Sequence, residues 1–562
     1  MSKKDGRIEQ MNRLNAWMLC AAAATPALAQ PSMVIMGLGG TDLSPDGSTV
    51  LGSYYDAASQ KGRLARFNVA TGLSGVNVSD LGGIARFSND LQTILYTGYN
   101  LENINNSTNS ITYGTPTQYQ TTGLACTWSS GIGRTNLGVS PTGNRCDYTI
   151  NSPYDISGDG RWVVGGQWTN GLCGAYRAFV VDAVARTFTQ LPISYEGAPA
   201  FTFASATRAN CVNNNGTIAA GYDQNYPPQG GGVQVRRPAV WVKNGSTWTL
   251  TVLERAGGEI FVMNDAGNIV GGKDSLGQLC RWIRQGTTTT WTKEVIPGGN
   301  GAIPMAMSAS GDAMVGDIFI WTPDINEGNV FSLNSHLFNL GASWLGEYRI
   351  YNPLGPAVWD ISDDATKILI RGSDDRSLCL NTFSTALIDL TGTTACVPAQ
   401  MIHDPVSDTS VAPAPGYYSY GIILNCMAGG TWPLNYQWQK ETETGEWVDL
   451  YDDVYCNSTY AGTSFDVKAP TTSQLRLGFL SGTWRGRYRC VVSNACGQVT
   501  SAVARVGSCP ADYNFDGGVD GDDVIAYFAD WDAANPDADF TGDGGVDGDD
   551  VIVFFSRWDS SC

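Results

Sequence analysis

One pattern of apolar and polar positions recurs through the first two thirds of the chain. It is an apolar residue, then Ser or Asn, two variable positions, usually Gly, two more, an apolar pair and usually a second Gly. The copies are "LSPDGSTVLG" from Leu43, "FSNDLQTILY" from Phe87, "ISGDGRWVVG" from Ile156, "VNNNGTIAAG" from Val212, "MNDAGNIVGG" from Met263, "MSASGDAMVG" from Met307 and "ISDDATKILI" from Ile361. Ser, Asn and Asp bond the backbone of a tight turn, Gly supplies positive φ, and the apolar pair enters a buried strand. Most copies are followed by a second apolar segment, such as "YRAFVVDAVARTFTQL" or "RRPAVWVKNGSTWTLTVL". That makes four strands per roughly fifty residues. One such sheet cannot bury both faces, whereas several stacked radially can.

With these turns, residues 31–397 resemble secreted β-propellers with "SxDG"-type blade turns, distantly similar to the Tol-B and WD-type families. The resemblance implies a closed ring of about seven blades. In "SGDGRW" Gly160 directly follows Asp159, unlike the sialidase Asp-box, so Asp46, Asp159 and Asp364 read as turn residues. Asp42, Asp155 and Asp360 precede turns, either capping them or lining one face of the channel.

Residues 398–508 change character after the Pro-containing stretch "MIHDPVSDTSVAPAPG". Cys426, Trp438 and Cys490 stand in Cys…Trp…Cys order, with Tyr488 two residues before the second Cys. The stretch resembles immunoglobulin-like domains of secreted bacterial proteins. The resemblance implies a β-sandwich with Cys426–Cys490 bridging its sheets over Trp438.

The tail, 509–562, writes one acidic motif twice: "DYNFDGGVDGDD" from Asp512 and "DFTGDGGVDGDD" from Asp539. Calcium takes six to eight hard oxygens from a sharply turning loop. The first loop offers Asp512, Asn514, Asp516, the Gly518 carbonyl, Asp520 and Asp523, turning at Gly517. The second offers Asp539, Thr541, Asp543, the Gly545 carbonyl, Asp547 and Asp550, turning at Gly544. Two Ca²⁺ sites are the expected cofactors. Each loop leads into an amphipathic helix, with apolar faces Val524, Ile525, Phe528, Trp531 and Val551, Ile552, Phe555, Trp558. Cys509-Pro510 leaves no room for an entering helix. These loop–helix units resemble the duplicated calcium repeats of type I dockerins, which implies docking onto a cohesin-like surface protein. Where that family often carries hydroxyl side chains, this chain has Gly521-Asp522 and Gly548-Asp549.

The 562 residues carry a net charge of −19, with 43% hydrophobic and 15% charged residues. Fourteen Asp and one basic residue, Arg557, fall within 509–562, which points to cations. There is no basic patch for nucleic acid. Residues 1–29 read as a signal peptide: Arg13 precedes "AWMLCAAAATPALA", ending in the small-x-small site Ala27-Leu28-Ala29. No later run approaches the ~18 apolar residues of a membrane span. A secreted or cell-surface location is expected.

In an exported protein the cysteines are expected to pair. Clustering suggests Cys126–Cys146, Cys173–Cys211, Cys379–Cys396, Cys456–Cys496 and Cys509–Cys562 beside Cys426–Cys490, with Cys280 left over. The only histidines, His336 and His403, belong to no metal-ligand spacing. No catalytic constellation is visible. The favoured reading is a secreted calcium-binding protein for ligand binding, adhesion or assembly, with a glycan or protein ligand on the propeller. The alternative is a glycoside hydrolase of polysaccharide catabolism recruited through its tail.

Overall fold

The computed structural model describes residues 30–36, 38–56, 61–75, 81–99, 123–130, 132–137, 151–169, 175–194, 206–225, 235–352, 355–376, 382–407, 422–442, 444–451, 467–468, 471–477, 485–507, 509–515, 518–541 and 545–559. Residues 1–29 and Cys146, Cys173, Cys379, Cys456, Asp516, Asp543 and Cys562 lie outside them.

The fold is mainly β: a β-propeller, an immunoglobulin-like sandwich and a small helical tail. Among the described residues, six four-stranded antiparallel sheets follow one another between Gly39 and Ser332. Their first strands are Gly39–Leu43, Leu81–Phe87, Asn151–Ile156, Thr207–Val212, Gly258–Met263 and Ala306–Met307. The last sheet begins with Val358–Ile361. Each first strand touches the next, and Val358–Ile361 touches Gly39–Leu43, so the ring closes around an axis.

The recurrent turn sits between first and second strands, and its polar residue has the same task in every copy. A side-chain oxygen accepts the backbone N–H five residues on: Ser44 from Thr49 (2.9 Å), Ser88 from Thr93 (3.0 Å), Ser157 from Trp162 (2.9 Å), Asn213 from Ile218 (2.8 Å), Asn264 from Ile269 (2.9 Å), Ser308 from Ala313 (3.0 Å) and Ser362 from Lys367 (3.0 Å). Asp46, Asp159 and Asp364 accept the N–H of Ser48, Arg161 and Thr366, which is the turn role. In the two copies without the first Gly, Leu91 (φ 60°) and Ala365 (φ 59°) take the left-handed conformation that Gly160 (φ 70°) takes elsewhere.

The turns also bond one another around the axis. Asn89 N–H donates to Gly158 O, Asp159 N–H to Asn214 O, Asn214 N–H to Asp265 O, Ala309 N–H to Asp363 O and Asp363 N–H to Pro45 O. Pro45 has no N–H to pass on.

The last sheet closes the ring and continues beyond it. Val358–Ile361, Lys367–Asp374 and Thr382–Asp389 are joined by the N-terminal strand Ser32–Ile35, paired in register Ser32↔Asp389 to Ile35↔Ala386. Ser32–Ile35 then pairs with Met427–Thr431 of the sandwich, which pairs with Gln400–His403. An insertion after the sixth sheet adds helix α1 (Leu333–Asn339) and the strand Tyr348–Ile350, which extends the last sheet beside Val358–Ile361.

The sandwich packs Ile422–Asn425, Gln474–Leu477 and Val467–Lys468 against a sheet built on Asn435–Glu441 and Gly486–Asn494. Trp438 is fully buried and donates its indole N–H to Thr472 O (2.8 Å). One hydrophobic cluster runs from Ile368, Ile370 and Ile388 of the last propeller sheet to Trp438, Tyr488 and Cys490.

Five of the expected cysteine pairings are corrected. Cys396 and Cys496 bond each other, Cα atoms 6.0 Å apart, instead of pairing with Cys379 and Cys456. The reason is that the sandwich folds back onto the last propeller sheet. Asn494 Nδ2 donates to Val397 O (2.8 Å) and Thr431 O (2.9 Å), which lays the Asn494–Gly497 turn against residue 396. Cys426 and Cys490 meet as two buried thiols in hydrogen-bond contact, not as the expected cystine. Cys211 and Cys126, expected to pair with Cys173 and Cys146, are buried thiols instead; Cys211 donates to Ala220 O and Cys280 to Gly272 O, and Cys126 lies in the second sheet. Cys509 is disulfide-bonded.

Helices α2 (Gly521–Asp532) and α3 (Gly548–Asp559) form the tail. Tyr527 and Phe554 stack at its centre, ring centroids 4.0 Å apart. Val524, Phe528, Trp531, Val551, Phe555 and Trp558 pack against this core as expected, whereas Ile525 and Ile552 are 69% and 68% exposed and Tyr527 and Phe554 occupy its centre. The aromatic rings, with more area to bury, take the inside. Among the described residues, no helix is long and apolar enough to cross a membrane.

Candidate functional site

Every first strand except the very short sixth one has a register shift just before its last residues, as between Gly40 and Asp42, Pro153 and Asp155, and Val358 and Asp360. A bulge bends the strand and re-aims side chains. Here it turns three carboxylates toward the neighbouring sheet. Asp42 accepts from Phe87 N–H (2.7 Å), Asp155 from Val212 N–H (2.8 Å) and Asp360 from Leu43 N–H (2.8 Å). Bulge residues latch the same way: Thr41 Oγ1 donates to Ala85 O (3.1 Å) and Asn210 Nδ2 to Ile260 O (2.6 Å). The three aspartates are therefore sheet-to-sheet latches, a role that the sequence left open between turn capping and channel lining.

Arg86 takes the equivalent position in the second sheet. It donates to Thr41 O and lies 3.5 Å from Asp42. Asp42 stands at ion-pair distance from this guanidinium, and Asp360 and Asp155 lie close enough to feel its charge. Burial is the main force pushing the Asp42 carboxyl above its ordinary range; Arg86 opposes it and Asp360, hydrogen-bonded to Asp42, adds to it. Asp360 is raised by burial, and Asp155 is pushed by burial to about 6.

The propeller's two faces differ. One is the hydrogen-bonded ring of short turns. The strand ends carrying the longer connections lie on the other: 99 and 123, 136 and 151, 190 and 207, 225 and 235, with the α1 insertion. Arg208 stacks there between Tyr154 (4.7 Å) and Tyr222 (5.1 Å), and Arg236 lies 4.6 Å from Tyr222. Glu259 bridges both guanidinia at 2.6 and 2.8 Å. Sequence reasoning passed over this cluster, because nothing in the strand pattern says which polar residues of separate sheets meet. Toward the sandwich, a cavity of about 280 Å³ is lined by Asp374, Arg376, Asn435, Tyr436, Thr472 and Ser473. His336 lies on α1 against Phe331, with burial lowering its pKa, and His403 ends the strand Gln400–His403. The two stay apart from the latch carboxylates.

In the tail the two loops are built alike. Asp523 is fully buried and accepts from Asn514 N–H and Asp520 N–H, both 2.9 Å. Asp550, equally buried, accepts from Thr541 N–H (2.9 Å) and Asp547 N–H (2.8 Å). In each loop the twelfth residue therefore fastens the third and ninth. Asp520 caps α2 by accepting from Asp522 N–H (3.0 Å), and Asp547 accepts from Asp549 N–H (2.9 Å). Asp512 is buried, Asp539 accepts from the Thr541 hydroxyl (3.2 Å), and Gly518 and Gly545 stand at the seventh positions. Asp516 and Asp543 lie outside the described residues. Among the described residues, no three His, Cys, Asp or Glu side chains gather around one point.

No protein-family model matches the chain, and no curated protein does. Solved structures similar to it include TolB from Acinetobacter baumannii, at 10% identity and TM-score 0.26, covering 52% of this chain and 71% of that one. Another is the putative TolB from Agrobacterium tumefaciens, at 14% and 0.29, covering 50% and 95%. Three titin domains, I67–I69, align at 20% and 0.14, covering 20% and 33%. These scores carry no argument of their own. The architecture rests on the sheets and contacts described above.

Proposed function

We propose that this is an exported, calcium-binding multidomain protein. Its propeller and sandwich present ligand surfaces, and its dockerin-like tail docks it to a cohesin-like or other surface protein. The observation carrying the calcium reading is the twofold loop, in which a buried Asp ties down the third and ninth positions of each copy. The donors fit a hard cation: all are carboxylate, amide, hydroxyl or backbone oxygens. Asp512, Asn514, Asp516, Gly518, Asp520 and Asp523 would hold one ion, and Asp539, Thr541, Asp543, Gly545, Asp547 and Asp550 the other. Bound calcium supplies the positive charge that lets four carboxylates share one loop. The Cys396–Cys496 bond suits an oxidising compartment, in keeping with the signal-like 1–29.

A glycan or protein ligand is assigned to the propeller face that carries the long connections, where variable surface is anchored on rigid strands. The latches give no support to a hydrolase. Glycoside hydrolysis uses two carboxyl groups about 5–10 Å apart with the sugar between them, whereas Asp42 and Asp360 are hydrogen-bonded to each other. A glycan array run beside a polysaccharide hydrolysis screen on the mature chain tests the reading. The expected result is retention of a ligand without turnover. Released sugar that disappears in Asp42→Asn would overturn it.

A further inference from the structure

Arg505 stands on Ala504–Val506, a strand of the sandwich, yet its side chain is committed to the tail. That side chain is 8% exposed. Its Nη2 donates to Tyr513 O at 2.7 Å, and its guanidinium lies 3.7 Å from the Tyr513 ring centroid and 4.9 Å from that of Phe515. Tyr513 and Phe515 are the second and fourth residues of the first acidic loop, alternating with Asp512 and Asn514. Phe515 is held at φ 62°, a left-handed conformation unfavourable for a bulky side chain. Asp537, in the short turn between the repeats, closes the contact: it pairs with Arg487 at 2.7 Å and Arg505 at 3.9 Å. Phe540, the counterpart of Tyr513 in the second loop, packs inside the tail against Tyr513, Tyr527 and Phe554.

We propose that Arg505 is a positioning residue for the first cation loop, making calcium binding there and docking of the tail on the sandwich a single coupled equilibrium. The inference rests on the calcium reading above. Segment 513–515 must be ordered before Asp512 and Asn514 converge on an ion, and that ordering opposes binding. Arg505 fixes the segment in advance through one carbonyl and two rings, so less ordering remains when the ion arrives. Its positive charge acts in the opposite sense, but Asp537 sits against it and limits that repulsion. Linkage then requires calcium to tighten the sandwich strand in return.

The test uses the full chain with Asp543→Ala, which leaves only the first loop to bind. Calcium chloride is titrated by calorimetry. Arg505→Gln is expected to weaken binding about tenfold, within the usual range of coupling between sites. Arg505→Lys, which keeps charge and stem but not the planar stack, is expected to fall between. Hydrogen exchange across Ala504–Val506 should slow on adding calcium to the parent and not to Arg505→Gln. Unchanged affinity in both variants overturns the proposal and leaves the calcium reading intact. Absence of calcium heat in the wild-type chain overturns both.

Discussion

Replacing Cys396 and Cys496 together by serine is expected to lower stability by about 5 kcal/mol, the largest effect of any change considered. The bond closes a sequence separation of 100 residues, and a cross-link over a loop of that length removes roughly this much unfolded-chain freedom. The remaining contacts at the joint are non-covalent, a shared hydrophobic cluster and short strand pairings. Ser32–Ile35 and Met427–Thr431 share only Val34↔Thr431 and Ile35↔Gly430. Trp432 N–H donates to Met33 O, and Arg376 packs over Trp432 at 4.2 Å. Denaturant unfolding of the double variant should show a lower midpoint, with the sandwich released first. An unchanged midpoint would mean that sheet pairing and the shared core hold the joint unaided.

Arg86→Met is expected to destabilise the propeller by about 3 kcal/mol at pH 7.5, because it leaves buried carboxylates without their cation. The pH dependence carries the sign. Asp42, Asp155 and Asp360 have raised pKa values in the fold. Their contribution is therefore fully present below the unfolded carboxylate range near 4 and is lost as pH rises through the folded values, about 6 for Asp155. Without Arg86 those values climb further, so the variant should lose much less stability at pH 5 than at pH 7.5. Thermal unfolding at the two pH values reads the difference. An equal loss at both would assign Arg86 to packing alone. The tail should respond oppositely: the Asp550 pKa is lowered by the N–H bonds it accepts, against its burial, so that stabilisation disappears in acid.

The turns were legible because each is local: Ser or Asn, Gly and an apolar pair within ten residues encode their own hydrogen bonds. The loop–helix repeats were legible for the same reason, since their spacing is fixed by a short element, whereas the Cys…Trp…Cys order showed the buried Trp438 but not the thiol state of its two cysteines. Contacts between distant elements were not. Ser32–Ile35 carries no turn signal, yet it completes a sheet with Thr382–Asp389. Cysteine pairing by nearest neighbour failed at Cys396 and Cys496 because the sandwich folds back on the propeller. Asp42, Asp155 and Asp360 could be picked out but not assigned, since their partners are backbone N–H groups of neighbouring sheets. The inward faces of α2 and α3 were legible except at Ile525 and Ile552, which point outward while Tyr527 and Phe554 fill the centre. Neither periodicity nor spacing could have placed Arg505 on the first loop.

Calorimetric titration of calcium into the chelator-treated full chain tests the central claim most directly. Binding of two ions is expected, accompanied by a gain of helix in the far ultraviolet. The first loop should be the tighter, because Asn514 offers a carbonyl oxygen where Thr541 offers a hydroxyl. A titration without heat, and a spectrum unchanged at millimolar calcium, would contradict it.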